Sequence, residues 1–244
     1  MDIYDSERIK WDKKAGRLLN DPEFDWQHRS TYDGMFGTDR VLRPVYDFFH
    51  PLDPHDTTLL DYGCGGGWST LLFAQKVRRV EAFDISENRV KVVQRRMEAN
   101  GITNINARVG NGEALDYADN TFDYVFGNAI LHHIPLDRCL PEIRRVLKPG
   151  GRAAFCEPLG HNPFINLYRY LKHHFWEEHL GTDKPLTYGD QETFQRYFSQ
   201  VSFIETCFFS KRLPALGALD APLLKLKSLR RFASYITVLL EKEN

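Results

Sequence analysis

Leu59-Leu60-Asp61-Tyr62-Gly63-Cys64-Gly65-Gly66-Gly67, continuing into Trp68-Ser69-Thr70-Leu71-Leu72-Phe73, is the stretch on which the fold turns. Thr58–Tyr62 reads as a buried strand, and Trp68–Lys76 reads as a helix after the glycine-rich turn. Glycine at 63 and 65 permits a tight turn and a close approach of backbone to a ligand. Nicotinamide enzymes use a related loop, but the spacing here differs. The glycines fall at 63, 65 and 67, and Trp68 stands where the dinucleotide pattern needs its third glycine. Asp61, in the strand just before the turn, is placed to accept from a ligand ammonium, whereas a dinucleotide presents a pyrophosphate there.

Outward from this turn, short apolar strands alternate with amphipathic helices. Val80–Asp84 is the second strand, and Ser86 caps a helix through Val90, Val93 and Met97 that stops at Asn100-Gly101. Asn104–Val109 and Phe122–Gly127 are the third and fourth strands. The helix Leu136–Leu147 ends at Pro149-Gly150-Gly151 before a fifth strand, Arg152–Cys156. This alternation predicts an α/β fold with a doubly wound parallel sheet. Val201–Phe209 and Ser234–Leu240 read as two more strands. Residues 1–50 read as an N-terminal helical cap, closed off by Pro51 and Pro54. Residues 51–244 form the main domain, with an aromatic-rich helical lid insertion at 158–189 and a second insertion at 211–232.

Composition narrows the function. With 32 Lys+Arg against 33 Asp+Glu, the net charge of −1 supplies no global attraction to nucleic acid. The four cysteines, 64, 139, 156 and 207, contain no Cys-x-x-Cys pair, so neither a disulfide framework nor structural zinc is expected. The polar N-terminus lacks a signal-peptide core, and no apolar run is long enough to span a bilayer. A cytoplasmic location is the expectation.

Asp84 ends the second strand, 23 positions after Asp61, where a carboxylate accepts both hydroxyls of a ribose; it also stands where a helix cap would. Asn111-Gly112-Glu113-Ala114-Leu115, Phe122-Asp123-Tyr124-Val125 and Arg145-Val146-Leu147-Lys148-Pro149-Gly150-Gly151 complete a set. From about Thr57 to Glu157 the chain resembles the class I, Rossmann-like S-adenosylmethionine-dependent methyltransferases, in their small-molecule branch. The resemblance implies a seven-stranded mixed sheet whose last strand inserts antiparallel, and S-adenosyl-L-methionine as cofactor. It carries cofactor contacts to Asp61, Gly63, Cys64, Gly65, Asp84, Ile85, Asn111, Gly112, Glu113 and Asn128. Asn111 departs from the family's usual Asp, but its amide oxygen also accepts a hydrogen bond from an adenine amino group.

After the fourth strand comes Gly127-Asn128-Ala129-Ile130-Leu131-His132-His133, unlike the Asn/Asp-Pro-Pro-Tyr signature of DNA-base methyltransferases. The acceptor is expected to be a small molecule, first of all a hydroxyl, with lipid or quinone C-methylation as the alternative. His132 is the first candidate base, Glu157 its orienting acid, and His133 the second candidate. A nicotinamide oxidoreductase and a non-catalytic protein of this fold are the rival readings. No metal is expected, although His173, His174, Glu177, Glu178 and His179 cluster in sequence. Leu223–Phe232, amphipathic with Lys and Arg on one side, either packs on its own domain or touches a membrane surface. The oligomeric state is not legible.

Overall fold

The computed structural model describes residues 3–26, 38–175, 184–207 and 219–244. The His173–His179 cluster and residues 176–183 and 211–218 of the two expected insertions lie outside the described residues and side chains.

Seven strands form one sheet. They are β1 (Thr58–Tyr62), β2 (Arg79–Asp84), β3 (Ile105–Val109), β4 (Phe122–Asn128), β5 (Leu147–Pro158), β6 (Gln200–Thr206) and β7 (Tyr235–Glu241). Their order is β3-β2-β1-β4-β5-β7-β6. Pairings among β1 to β5 are parallel, and β7 runs antiparallel between β5 and β6. The mixed doubly wound sheet and the antiparallel last strand are therefore as expected. β1 and β7 are buried along nearly their whole length, which is why they read as continuous apolar runs rather than alternating ones. Edge strand β6 alternates between exposed and half-buried positions. β5 starts at Leu147, five residues before the expected Arg152. The register of β4 with β5 shifts between Phe122 and Tyr124, so the Pro149-Gly150-Gly151 segment is carried inside the strand.

Helices cover both faces: α1 (Ile3–Leu19), α2 (Thr38–Phe48), α3 (Trp68–Ala74), α4 (Glu87–Asn100), α5 (Leu136–Val146), α6 (Pro163–Phe175), α7 (Gln191–Gln195) and α8 (Asp220–Lys225). On one face Val45 of α2 and the adjacent Phe49 pack with Phe73, Val93 and Phe126, and Phe49 stacks on Tyr124 at 4.6 Å. On the other, Leu140 and Ile143 of α5 pack with Tyr62, Phe83, Phe155 and Phe194. Full burial of side chains this size contributes roughly 1.5–3 kcal/mol each. α4 begins as expected: the Ser86 hydroxyl accepts from the Arg89 amide at 3.1 Å. It ends at Gly101, whose φ of 64° forms the left-handed cap.

α1 lies against the start of α4. Asp12 Oδ1 accepts from the Ser86 hydroxyl at 2.6 Å and from the Asn88 amide at 3.1 Å. The Arg89 guanidinium lies 3.9 Å over the Trp11 ring, and Arg95 donates to the Leu19 carbonyl at 2.8 Å. These contacts hold α1 across the carboxyl ends of the strands. Among the described residues, no helix is long and apolar enough to cross a membrane.

Candidate active site

Strand order reverses between β1 and β4, and open α/β sheets place their ligands in the crevice at such a point. A cavity of about 310 Å³ opens there. Its floor is the turn Gly63–Gly66. Its walls are Phe83, Asp84 and Ile85 after β2, Gly110 and Gly112 after β3, and Asn128, Ala129 and Ile130 after β4. α1 adds Tyr4, Glu7 and Trp11.

The turn is glycine for steric reasons. Gly63 and Gly65 have φ of 70° and 55°, and a Cβ at 63 would come within 2.7 Å of Ile130. The Cys64 amide donates to the Phe83 carbonyl at 2.8 Å, which ties the turn to β2. Asp84 accepts from the Gly65 amide on one oxygen and the Ser86 amide on the other, both at 2.9 Å. Each oxygen keeps a further lone pair. Burial raises the Asp84 pKa, and the Arg89 guanidinium opposes that shift.

Asp61 lies beneath the turn rather than on the cavity wall. It is fully buried, and its Oδ2 accepts from the Ser69 hydroxyl at 2.8 Å and from Thr70 at 2.6 Å. Its Oδ1 is buried without a hydrogen-bond partner. Burial pushes its pKa up to about 6, against the opposing pull of the two hydroxyls. Such an orphaned oxygen is what a bound cation satisfies.

The loop after β3 meets the cavity through backbone. A Cβ on Gly112 would run into the Tyr62 hydroxyl. Asn111 is exposed and off the wall, its Oδ1 occupied by the Glu113 amide at 2.8 Å. Glu113 pairs with Arg138 at 3.0 Å and is also off the wall.

Glu157 and His132 meet, with Nδ1 2.6 Å from Oε2. Glu157 is fully buried, and its other oxygen accepts from the Ile130 and Leu131 amides at 2.8 Å each. These bonds pin a segment in which Ala129 has a φ of 54°, unfavourable for a residue with a Cβ. Neither His132 nor Glu157 borders the cavity; His133 does. Residues Leu131–His133 form a 3₁₀ turn, which rotates about 120° per residue, so consecutive histidines face different ways. The two rings lie 3.9 Å apart. His133 Nδ1 is 3.6 Å from Glu7 Oε2, and Trp11 meets the His133 ring edge-on at 5.8 Å. Trp11 Nε1 donates to the same Glu7 oxygen at 2.8 Å.

Tyr4, Glu7, Trp11 and Arg89 were not singled out from sequence. The polar-aromatic spacing 4, 7, 11 is a helical stripe, but nothing local says what it covers. Two buried acids, a glycine-lined approach and the apolar side of Phe83 and Ile85 suit a cationic ligand that carries a ribose. They do not suit a pyrophosphate, which at this turn would lie over the buried Asp61 carboxylate.

Residues 60–155 match the family model described as "Methyltransferase domain". Over 127 residues the chain is 39% identical to demethylmenaquinone methyltransferase of Symbiobacterium thermophilum, which covers 50% of each protein. Over 104 residues it is 41% identical to the ubiquinone/menaquinone biosynthesis C-methyltransferase UbiE of Hydrogenovibrio crunogenus, 41% of each. The chain spans about half the length, or less, of these curated relatives. In fold it is similar to geranyl diphosphate C-methyltransferase from Streptomyces coelicolor A3(2), solved with Mg²⁺, geranyl diphosphate and S-adenosyl-L-homocysteine. That likeness has a TM-score of 0.69 over 99% of this chain and 98% of the other, at 17% identity. Domain match, relatives and sheet topology agree with the resemblance: residues 60–155 carry a methyltransferase domain, and the sheet has the fold of the class I, Rossmann-like S-adenosylmethionine-dependent methyltransferases.

Proposed function

We propose that this protein transfers a methyl group from S-adenosylmethionine to a small-molecule acceptor that first gives up a hydroxyl proton. The observation that carries this reading is the cavity at the β1/β4 switch, with acids beneath and beside a glycine turn and a histidine on the opposite wall. In it Asp84 holds the ribose, and Asp61 supplies negative charge beneath the amino-acid tail. The cofactor, when bound, supplies an electrophilic methyl on a sulfonium.

The chain's own groups do the rest. The wall from Asn128 to His133, clamped by Glu157, orients the acceptor against the methyl. His133 takes the acceptor's hydroxyl proton, leaving a phenolate or enolate to attack, and Glu7 lies close enough to stabilise the imidazolium. His132, held by Glu157 behind it, positions the turn. α1 excludes water.

A phenolate or enolate attacks through oxygen or through the adjacent carbon. Oxygen is the first reading. Carbon is the second, favoured by the relative named as a ubiquinone/menaquinone biosynthesis C-methyltransferase. Three measurements test the proposal. Asp84→Ala should weaken adenosylhomocysteine binding at least about tenfold in calorimetry, since a charge-assisted bond is worth about 1.5–3 kcal/mol. Transfer of labelled methyl to a panel of phenols and enols should fall about 10²–10⁴-fold in His133→Ala with cofactor affinity nearly intact. NMR of the product separates O-methyl from C-methyl. Wild-type cofactor affinity in Asp84→Ala, or no methyl transfer to any phenol or enol, would overturn the reading.

A further inference from the structure

Helix α6 points its apolar stripe outward. At about 100° per residue, Phe164, Leu167 and Leu171 share one side, with Tyr170 on its flank. They are 75%, 56%, 38% and 64% exposed. Amphipathic helices of globular domains normally turn that stripe inward, and contiguous exposed apolar surface marks an interaction site. None of the four borders the cavity.

The patch extends into a second segment. The Phe164 ring lies 6.4 Å from that of Phe232, and the Asn162 side-chain amide donates to the Phe232 carbonyl. Leu219 and Leu226 are also exposed, at 47% and 55%, with Lys225, Lys227 and Arg231 exposed around them. Exposed charge is one-sided here. Residues 163–175 and 219–232 hold six Lys and Arg against a single acid, Asp220, which is buried, in a chain whose net charge is −1. An apolar stripe whose exposed neighbouring charges, Lys225, Lys227 and Arg231, are all cationic is complementary to a bilayer with anionic headgroups.

We propose that α6 and residues 219–232 form a face that docks this protein on an anionic lipid surface. The face lies at the functional end of the sheet. α6 starts five residues after Pro158, and Glu157 beside it holds the loop that walls the cavity. Docking there brings the site to the headgroup level, where an apolar acceptor would be drawn from the membrane. The docking does not depend on the methyl-transfer reading and is measured without turnover.

The test is co-sedimentation of the full chain with vesicles of phosphatidylcholine alone and of phosphatidylcholine with phosphatidylglycerol. The protein should pellet with the anionic vesicles and be released by high salt. Two double variants, Phe164→Ser with Leu167→Ser and Lys225→Glu with Lys227→Glu, should each lower vesicle partitioning at least about tenfold. Both should keep the wild-type affinity for adenosylhomocysteine, which reports an intact fold. No partitioning of the wild type into anionic vesicles would overturn the proposal, as would partitioning unchanged in both variants. Sedimentation equilibrium supplies a third arm. A wild-type dimer that Phe164→Ser dissociates would mean that a second copy covers the face, and would also overturn it.

Discussion

Asp61 shows how one side chain serves the fold and the ligand in opposite directions. Burial raises its pKa to about 6, so between the ordinary carboxylate value and about 6 the folded state holds a proton that the unfolded chain has released. Stability of the ligand-free protein therefore falls as pH rises through that window. Asp61→Asn keeps an acceptor oxygen for Ser69 and Thr70 and removes the buried charge. Urea unfolding at pH 8 should show the variant more stable than wild type, by up to about 3 kcal/mol. Its affinity for adenosylhomocysteine should be lower by at least about tenfold. In the wild type, affinity should drop as pH falls below about 6, when the carboxyl protonates and no longer offers charge to the ammonium. Equal affinity in variant and wild type, with a flat pH profile, would leave Asp61 a purely structural anchor of α3. Asp61 was legible as a strand-end acid. Its bonds to Ser69 and Thr70, eight and nine residues on, become visible only once the turn brings the helix back over the strand.

At the scale of elements, α1 decides how closed the site is. It adds Glu7, Tyr4 and Trp11 to the cavity wall, and its polar contacts run along α4, from Asp12 at Ser86 and Asn88 to Leu19 at Arg95. Asp12→Ala deletes two of them. Amide exchange should then speed up in α1 and stay unchanged in β1, β4 and β5, because an element at the edge of the fold that loses anchoring bonds opens without global unfolding. Cofactor affinity should fall several-fold while the melting temperature moves little. Uniform exchange acceleration through the sheet would show instead that α1 is part of the cooperative core. Glu7→Gln retains an acceptor for Trp11 Nε1 and loses the charge beside His133. Turnover should drop with less than about threefold loss of adenosylhomocysteine affinity, a split between rate and binding that a structural lesion would not produce. Helix boundaries in the sheet domain were readable because Ser86, Gly101 and the 3.6-residue spacing are local signals. The partner of α1 was not, since its contacts span more than 70 residues of sequence.

For the whole molecule, the cavity joins β1, β2, β4 and α1, so a ligand that fills it stabilises all of them together. A ligand at about 100 times its dissociation constant adds about 2.7 kcal/mol, and a chain of this size gains roughly 2–4 °C for each kcal/mol. Adenosylhomocysteine should therefore raise the melting temperature by about 5–10 °C in a thermal-shift measurement, and NADH should not. A shift with NADH alone would return the protein to the dinucleotide readings that Trp68 argues against.

The apolar runs, glycines and caps by themselves determined the doubly wound sheet, the turn at Gly63–Gly67 and the acid at Asp84. Each of these is written within a dozen residues and obeys a fixed backbone period. The meeting of His132 with Glu157 was also legible, because neighbouring parallel strands end at one rim. Which histidine faces the cavity was decided by the 3₁₀ turn at Leu131–His133, whose rotation per residue no pattern of two adjacent histidines encodes. That Asn111 accepts from the Glu113 amide and Glu113 pairs with Arg138, and that α6 turns Phe164 and Leu167 to solvent, were likewise decided in three dimensions. Apolar spacing tells a helix which of its faces is hydrophobic; only packing against the rest of the chain decides where that face points.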